Sequence, residues 1–246
     1  MSLQALIFDV DGTLADTERA GHRVAFNAAF AEAGLPWRWD EALYDELLQV
    51  TGGKERIRHY LSVADRWFLA RPDAADVIAR LHESKTGHYL RLLAAGRVRL
   101  LPGVEALVRE ARGGGLRLAI ATTTTPANVT ALLDSRFGED ARSWFEVIGA
   151  GDVVPAKKPA PDIYRWVVER LGLEPWQCLA VEDSGVGLAA AVAAGVPTVV
   201  VPSGHAGADD FSAAVARYAD LTAVTVADLR DLHAGAVPPT VLAPPA

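Results

Sequence analysis

Two periodicities alternate along most of the chain. Apolar runs at Leu3–Val10, Leu116–Ala121, Phe145–Ala150, Cys178–Glu182 and Thr198–Val201 are rich in Val, Ile, Leu and Ala, and most lack polar alternation. Such runs predict strands buried on both faces, as in a parallel sheet between helical layers. Segments of helical period fall between them, at 103–112, 127–136, 161–171 and 187–194. The rhythm predicts an α/β core, a doubly wound, mostly parallel Rossmann-like sheet.

One stretch departs from this rhythm. From 17 to 96 the pattern is helical almost throughout, with Val24, Phe26, Ala29 and Phe30, then Ile57, Tyr60 and Leu61, then Val77, Ile78 and Leu81 near helical spacing. The economical division is a core of 1–16 and 97–233, with 17–96 inserted as an all-helical cap domain over the strand ends. Trp37 and Trp39 are expected to pack that cap. Residues 234–246, rich in Ala, Pro and Val without a period, are expected to form a loose tail.

Composition narrows the function. The 246 residues are half hydrophobic, enough for a sizeable core. A net charge of −7 without any Lys/Arg-rich run argues against nucleic acid and membrane surfaces as partners. A single cysteine, Cys178, rules out an internal disulfide and suits a reducing compartment. No apolar run approaches the ~20 residues that span a bilayer, and no signal peptide is evident. A cytoplasmic monomer is expected.

Four clusters of chemistry follow predicted strands. Asp9 and Asp11 flank Val10 and precede Gly12, so both carboxylates share one side of the chain and repel unless a cation or proton relieves them. Thr122 to Thr125 stand before Pro126. Lys157 and Lys158 stand before Pro159, which disfavours helix at Lys158. Glu182 and Asp183 precede Ser184, Gly185 and Gly187. Each alone has an ordinary explanation: an Asp-Gly turn, N-capping, solvated lysines, an acidic helix start. Together they supply what phosphoryl transfer to a carboxylate requires.

The order Asp-x-Asp-Gly-Thr, strand-end Thr, Lys-Pro and Glu-Asp resembles the haloacid dehalogenase superfamily of phosphatases and phosphomutases. The resemblance implies that Asp9 is the nucleophile and Asp11 the general acid/base. Thr122 and Lys158 would stabilise the transferring phosphate. Magnesium would be held by Asp9, Asp183 and Asp11 through its carbonyl, with Glu182 beside it. The cap segment Thr51-Gly52-Gly53-Lys54-Glu55-Arg56-Ile57 and the stretches Phe8–Leu14, Ala119–Thr124 and Lys157–Tyr164 are similar to the CbbY-type sugar-bisphosphate phosphatases. Those enzymes hydrolyse xylulose-1,5-bisphosphate, an inhibitor of the Calvin-cycle enzyme Rubisco, to xylulose 5-phosphate.

On that basis a small phosphorylated sugar is the expected substrate. One phosphate would sit at the metal, with Thr123 and Thr124 beside it. Lys54, Arg56 and Lys85 would meet the other, helped by the amides of Gly52 and Gly53. Asp16 and Thr17 correspond to family positions that contact substrate or form the hinge. His22 resembles a substrate-touching cap histidine, one place later relative to Thr17 than the family pattern. His59, His82, His88, His205 and His233 read as surface or packing residues. A β-phosphoglucomutase would share the aspartyl-phosphate but pass the group to a sugar hydroxyl. A receiver-type signalling domain fits less well, because its accepting aspartate lies on a later strand and no eighty-residue helical insertion follows the first.

Overall fold

The computed structural model describes residues 2–204 and 209–236, the Glu139 side chain excepted. His205 and the expected tail from 237 onward lie outside the described residues. Residues 234–236, assigned above to the tail, instead close the last helix.

Among the described residues, six parallel strands form one sheet in the order β3-β2-β1-β4-β5-β6. They are β1 (Ala5–Phe8), β2 (Arg117–Ala121), β3 (Phe145–Gly149), β4 (Cys178–Glu182), β5 (Thr198–Val200) and β6 (Ala216–Arg217). The central strand β1 sets Ile7 opposite Ala119 of β2 and Ala180 of β4. Alternate residues serve different layers: Leu6, Phe8, Leu118, Ile120, Leu179 and Val181 enter one apolar cluster, and Ala5, Ile7, Ala119, Ala121, Cys178 and Ala180 the other. Burial on both faces is why these strands carry no polar alternation. The two-residue β6 has no pattern to read and was not foreseen.

Helices α6 (Val104–Gly113), α7 (Pro126–Phe137), α8 (Asp162–Leu171), α9 (Gly185–Ala193) and α10 (Val226–Ala236) cover the sheet. Thr125 caps α7, its hydroxyl accepting from the Asn128 amide, and Pro126 opens the helix. Ser184 caps α9 in the same way, accepting from the Gly187 amide at 3.2 Å. The ordinary capping reading is therefore correct for Thr125, whereas Thr122, Thr123 and Thr124 precede the cap.

Between β1 and α6 lie α1 (Arg23–Glu32), α2 (Glu41–Leu47), α3 (Gly53–Ala64), α4 (Arg66–Leu69) and α5 (Ala74–Ala94). They enclose a third apolar cluster built on aromatic rings. The Trp39 ring lies 4.7 Å from Phe26 and 4.9 Å from Phe30, and Trp37 lies 4.9 Å from Phe68. Such pairs add about 0.5–1.5 kcal/mol each beyond area burial. Asn27 fastens the connecting loop by exchanging hydrogen bonds with the Trp39 backbone at 2.7 and 2.8 Å.

The chain leaves and re-enters the sheet layer side by side. Ala15 forms an antiparallel bridge with Leu100, and the amides of Asp16 and Leu101 bond the carbonyls of Arg99 and Leu14. Directly after this pair comes a single π-helical turn, Glu18–His22, in which the His22 amide reaches back five residues to the Thr17 carbonyl at 2.7 Å. A π-turn holds one residue more than the α-helical turn it replaces.

Candidate active site

All four motif clusters converge at the carboxyl ends of β1, β2 and β4, where open α/β sheets collect their ligands. Asp9 follows β1, its amide still bonded to the Val181 carbonyl at 3.1 Å. Lys158 Nζ donates to Asp9 Oδ1 at 2.7 Å and to Glu182 Oε1 at 2.6 Å. The Tyr164 hydroxyl, from the first turn of α8, donates to the same Glu182 oxygen. Asp9, Lys158 and Glu182 are all buried, as are Thr122 and Asp183.

Oxygens of Asp9, Glu182 and Asp183 all lie within 4.8 Å of one another. Gly12, at φ +82°, passes so close that a Cβ there would sit 2.2 Å from Asp183 Oδ2. Burial, with Glu182 and Asp11 adding repulsion against the pull of Lys158, raises the Asp9 carboxyl to about 7. Burial and the neighbouring Asp9 and Glu182 likewise push Asp183 well above the usual carboxylate range. Burial alone would discharge Lys158, but Asp9 and Glu182 outweigh it and hold its ammonium above the ordinary lysine range. Clustered hard oxygen donors that resist ionisation together are a chemistry a divalent cation relieves. The Asp11 carboxylate is not part of this group, because it turns toward the cap, which leaves only its carbonyl for the metal role expected above.

There His22 Nε2 lies 3.0 Å from Asp11 Oδ1, and Lys85 Nζ lies 3.0 Å from His22 Nδ1. A lysine ammonium donating to Nδ1 leaves Nε2 carrying the proton toward Asp11. Burial pulls the Asp11 carboxyl upward, but the His22 ring outweighs it and holds the group below the ordinary range. Burial lowers Lys85 to about 8 despite the opposing pull of Asp11 and Glu18. Arg56, from α3, donates to the Tyr44 hydroxyl at 2.8 Å, and Tyr44 in turn donates to Glu18.

The cavity between cap and core is lined by most of the expected residues: Asp9, Asp11, His22, Gly52, Gly53, Arg56, Lys85, Thr122, Thr123, Thr124, Lys158, Glu182 and Asp183. Three others stand elsewhere. Asp16 is exposed and its amide serves the hinge. Thr17 is fully buried and does not line the cavity; its carbonyl closes the π-turn. Lys54 Nζ pairs with Asp152 Oδ2 of the core at 2.6 Å instead of facing inward. Conversely, Glu18, Asn128, Ser203, Asp209 and His82 line the cavity without having been singled out as site residues. His82 packs so tightly on Gly53 that a Cβ there would meet its ring at 2.5 Å. Burial, with Lys85, Lys54 and Lys157 nearby, lowers it to about 4, so it stands neutral. The cue for it was its position three residues before Lys85 on one helix, which puts both on one face.

Residues 3–195 match the haloacid dehalogenase-like hydrolase family. The chain belongs to that family. It is 54% identical over 213 residues to the plasmid-borne protein CbbY of Cupriavidus necator, a match covering 87% of this chain and 84% of that one. It is 51% identical over 232 residues to CbbY of Rhodobacter capsulatus, covering 94% of this chain and all of the other. The crystal structure of a CbbY mutant from Rhodobacter sphaeroides, in complex with xylulose-(1,5)bisphosphate, superposes with a TM-score of 0.85 at 43% identity, covering 92% of this chain and 99% of that one. With such relatives, this family member is a phosphatase. Among the described residues, no helix is long and apolar enough to cross a membrane.

Proposed function

We propose that this enzyme is a magnesium-dependent phosphatase that converts xylulose-1,5-bisphosphate to xylulose 5-phosphate through an aspartyl-phosphate on Asp9, with 17–96 acting as its cap. The observation that carries this reading is a cavity with cationic groups at both ends. Lys158 and the Thr122–Thr124 turn form the core end, and Arg56 and Lys85 form the cap end. A bisphosphate needs both. The relative that holds xylulose-(1,5)bisphosphate supports the same assignment.

The residues divide the work as follows. Lys158 occupies Asp9 Oδ1, which leaves Oδ2 to attack phosphorus. The phosphorus–ester bond breaks as the Asp9–phosphorus bond forms, and Asp11, which takes up a proton from solvent as the substrate's negative charge arrives beside it, gives that proton to the departing sugar oxygen. Asp11 then takes a proton from water, the water oxygen attacks phosphorus, and Asp9 leaves as carboxylate. Thr122 and Lys158 balance charge on the transferring oxygens. Magnesium, held by Asp9, Asp183 and the Asp11 carbonyl with Glu182 beside them, would neutralise the carboxylate cluster and the phosphate. Closure of the cap excludes bulk water from the aspartyl-phosphate.

A phosphate-release screen across sugar mono- and bisphosphates with magnesium tests the assignment. Xylulose-1,5-bisphosphate is expected to give the highest kcat/KM, at least about tenfold above monophosphates, the gain expected from one charge-assisted phosphate contact. No release from that substrate would overturn the reading. Conversion of glucose 1-phosphate to glucose 6-phosphate without net release would replace it with a phosphomutase.

A further inference from the structure

The geometry points to a second task for the cap: Thr51 and Asp152 are positioning residues through which the closed cap grips the loop carrying Lys158 and holds the lysine on Asp9. The inference rests on the role given to Lys158 above. Lys158 sits in the long connection between β3 and α8, away from the regular hydrogen bonding of either element. Loops of this kind move more readily than the elements they join. Yet Lys158 Nζ must stay within bonding distance of two carboxylates.

Three contacts from the cap meet this loop. The Thr51 hydroxyl donates to the Lys158 carbonyl at 2.5 Å. Lys54 Nζ meets Asp152 Oδ2 at 2.6 Å, while the other oxygen of Asp152 accepts from Lys157 Nζ at 2.7 Å. The backbone at Gly52 lies against the Lys157 stem, where a Cβ would come within 2.9 Å of Lys157 Cδ. Gly52 also has φ +90°, a conformation that glycine adopts without strain. The gripping segment is itself anchored, because Arg56 Nε donates to the Val50 carbonyl at 3.3 Å.

Asp152 therefore joins a cap lysine to the residue immediately before the catalytic lysine. The two lysines keep its carboxyl down at about 2, so it stays charged through the working pH range. The ion pair alone is exposed, weak and open to screening by salt. The Thr51 bond is partly buried and directed at the Lys158 main chain itself. Opening the cap would release all three contacts at once. Closure and correct placement of Lys158 are then one event.

Steady-state kinetics of Thr51→Val and Thr51→Ser on the full chain tests this, using whichever phosphate ester the wild type turns over fastest. Thr51→Val is expected to lower kcat about fivefold, the usual worth of one hydrogen bond, with KM within twofold. Thr51→Ser should return kcat to within twofold of wild type. Asp152→Asn gives an independent readout should Thr51→Val fold poorly. At saturating substrate, wild-type kcat should fall as salt rises, and that of Asp152→Asn should start lower and stay flat. Wild-type kcat in Thr51→Val, equal losses in the Val and Ser variants, or the same salt response in Asp152→Asn and wild type would overturn the inference. A wrong substrate assignment would show in the wild type; a failure here shows only in the variants.

Discussion

At the scale of single residues, the site works by setting charges against each other in a dry space. Burial, with repulsion from Glu182, pushes Asp9 and Asp183 toward protonation, whereas His22 holds Asp11 ionised. These charges are the reverse of those the proposed nucleophile and acid need; a cation at the carboxylate cluster would ionise Asp9, and the negative charge of an arriving phosphate would favour a proton on Asp11. Of the two lysines that line the cavity, Lys85 is the one whose titration falls closest to working conditions. Its ammonium is charged below about 8 and discharges as the pH rises through that value. KM for the bisphosphate is therefore expected to climb above pH 8, and Lys85→Met should abolish that climb; an unchanged profile in the variant would remove Lys85 from the binding end. The motif residues were legible because each stands just after an apolar run. Tyr44, Tyr164 and Glu18 were not, because their importance lies in partners 26 and 18 positions away that only the fold brings near.

At the scale of elements, the strands declared themselves because burial on both faces leaves an unbroken apolar run. The two-residue β6 and the short α4 offer no such period. The cap helices were legible as a class but not in their aim. Lys54 and Arg56 are two places apart, so α3 turns them to different faces: Lys54 reaches out to Asp152 and Arg56 turns inward to Tyr44. The same spacing argument could have separated them in the sequence. Thr17 and His22 illustrate the opposite case, since nothing in the residues between them announces a π-turn. Arg56→Ala is expected to raise KM for a bisphosphate at least about tenfold and for a monophosphate less than threefold, in keeping with loss of one charge-assisted phosphate contact. Equal effects on both would deny the cap its role in reading the second phosphate.

At the scale of the whole molecule, a parallel sheet delivers the reacting groups and a helical cap supplies the far wall. The chain crosses between them at one paired hinge, at Ala15 and Leu100. The carboxylate cluster is costly to the folded state without a cation, because Asp9 and Asp183 must either repel or take up protons. Adding magnesium to chelator-treated protein is expected to raise Tm by several degrees and restore activity, with the larger shift at pH 8, above the raised Asp9 value of about 7, than at pH 5.5, where protons compete with the cation. Full turnover in excess chelator would remove the metal from the mechanism. The central claim is narrower: Asp9 carries the phosphoryl group during turnover. Rapid acid quench with substrate labelled in the reacting phosphate, followed by peptide mapping, addresses it directly. The label is expected on the peptide containing Asp9 and absent from an Asp9→Asn variant that retains the wild-type fold. Label on another residue, or wild-type turnover in Asp9→Asn, would contradict the account.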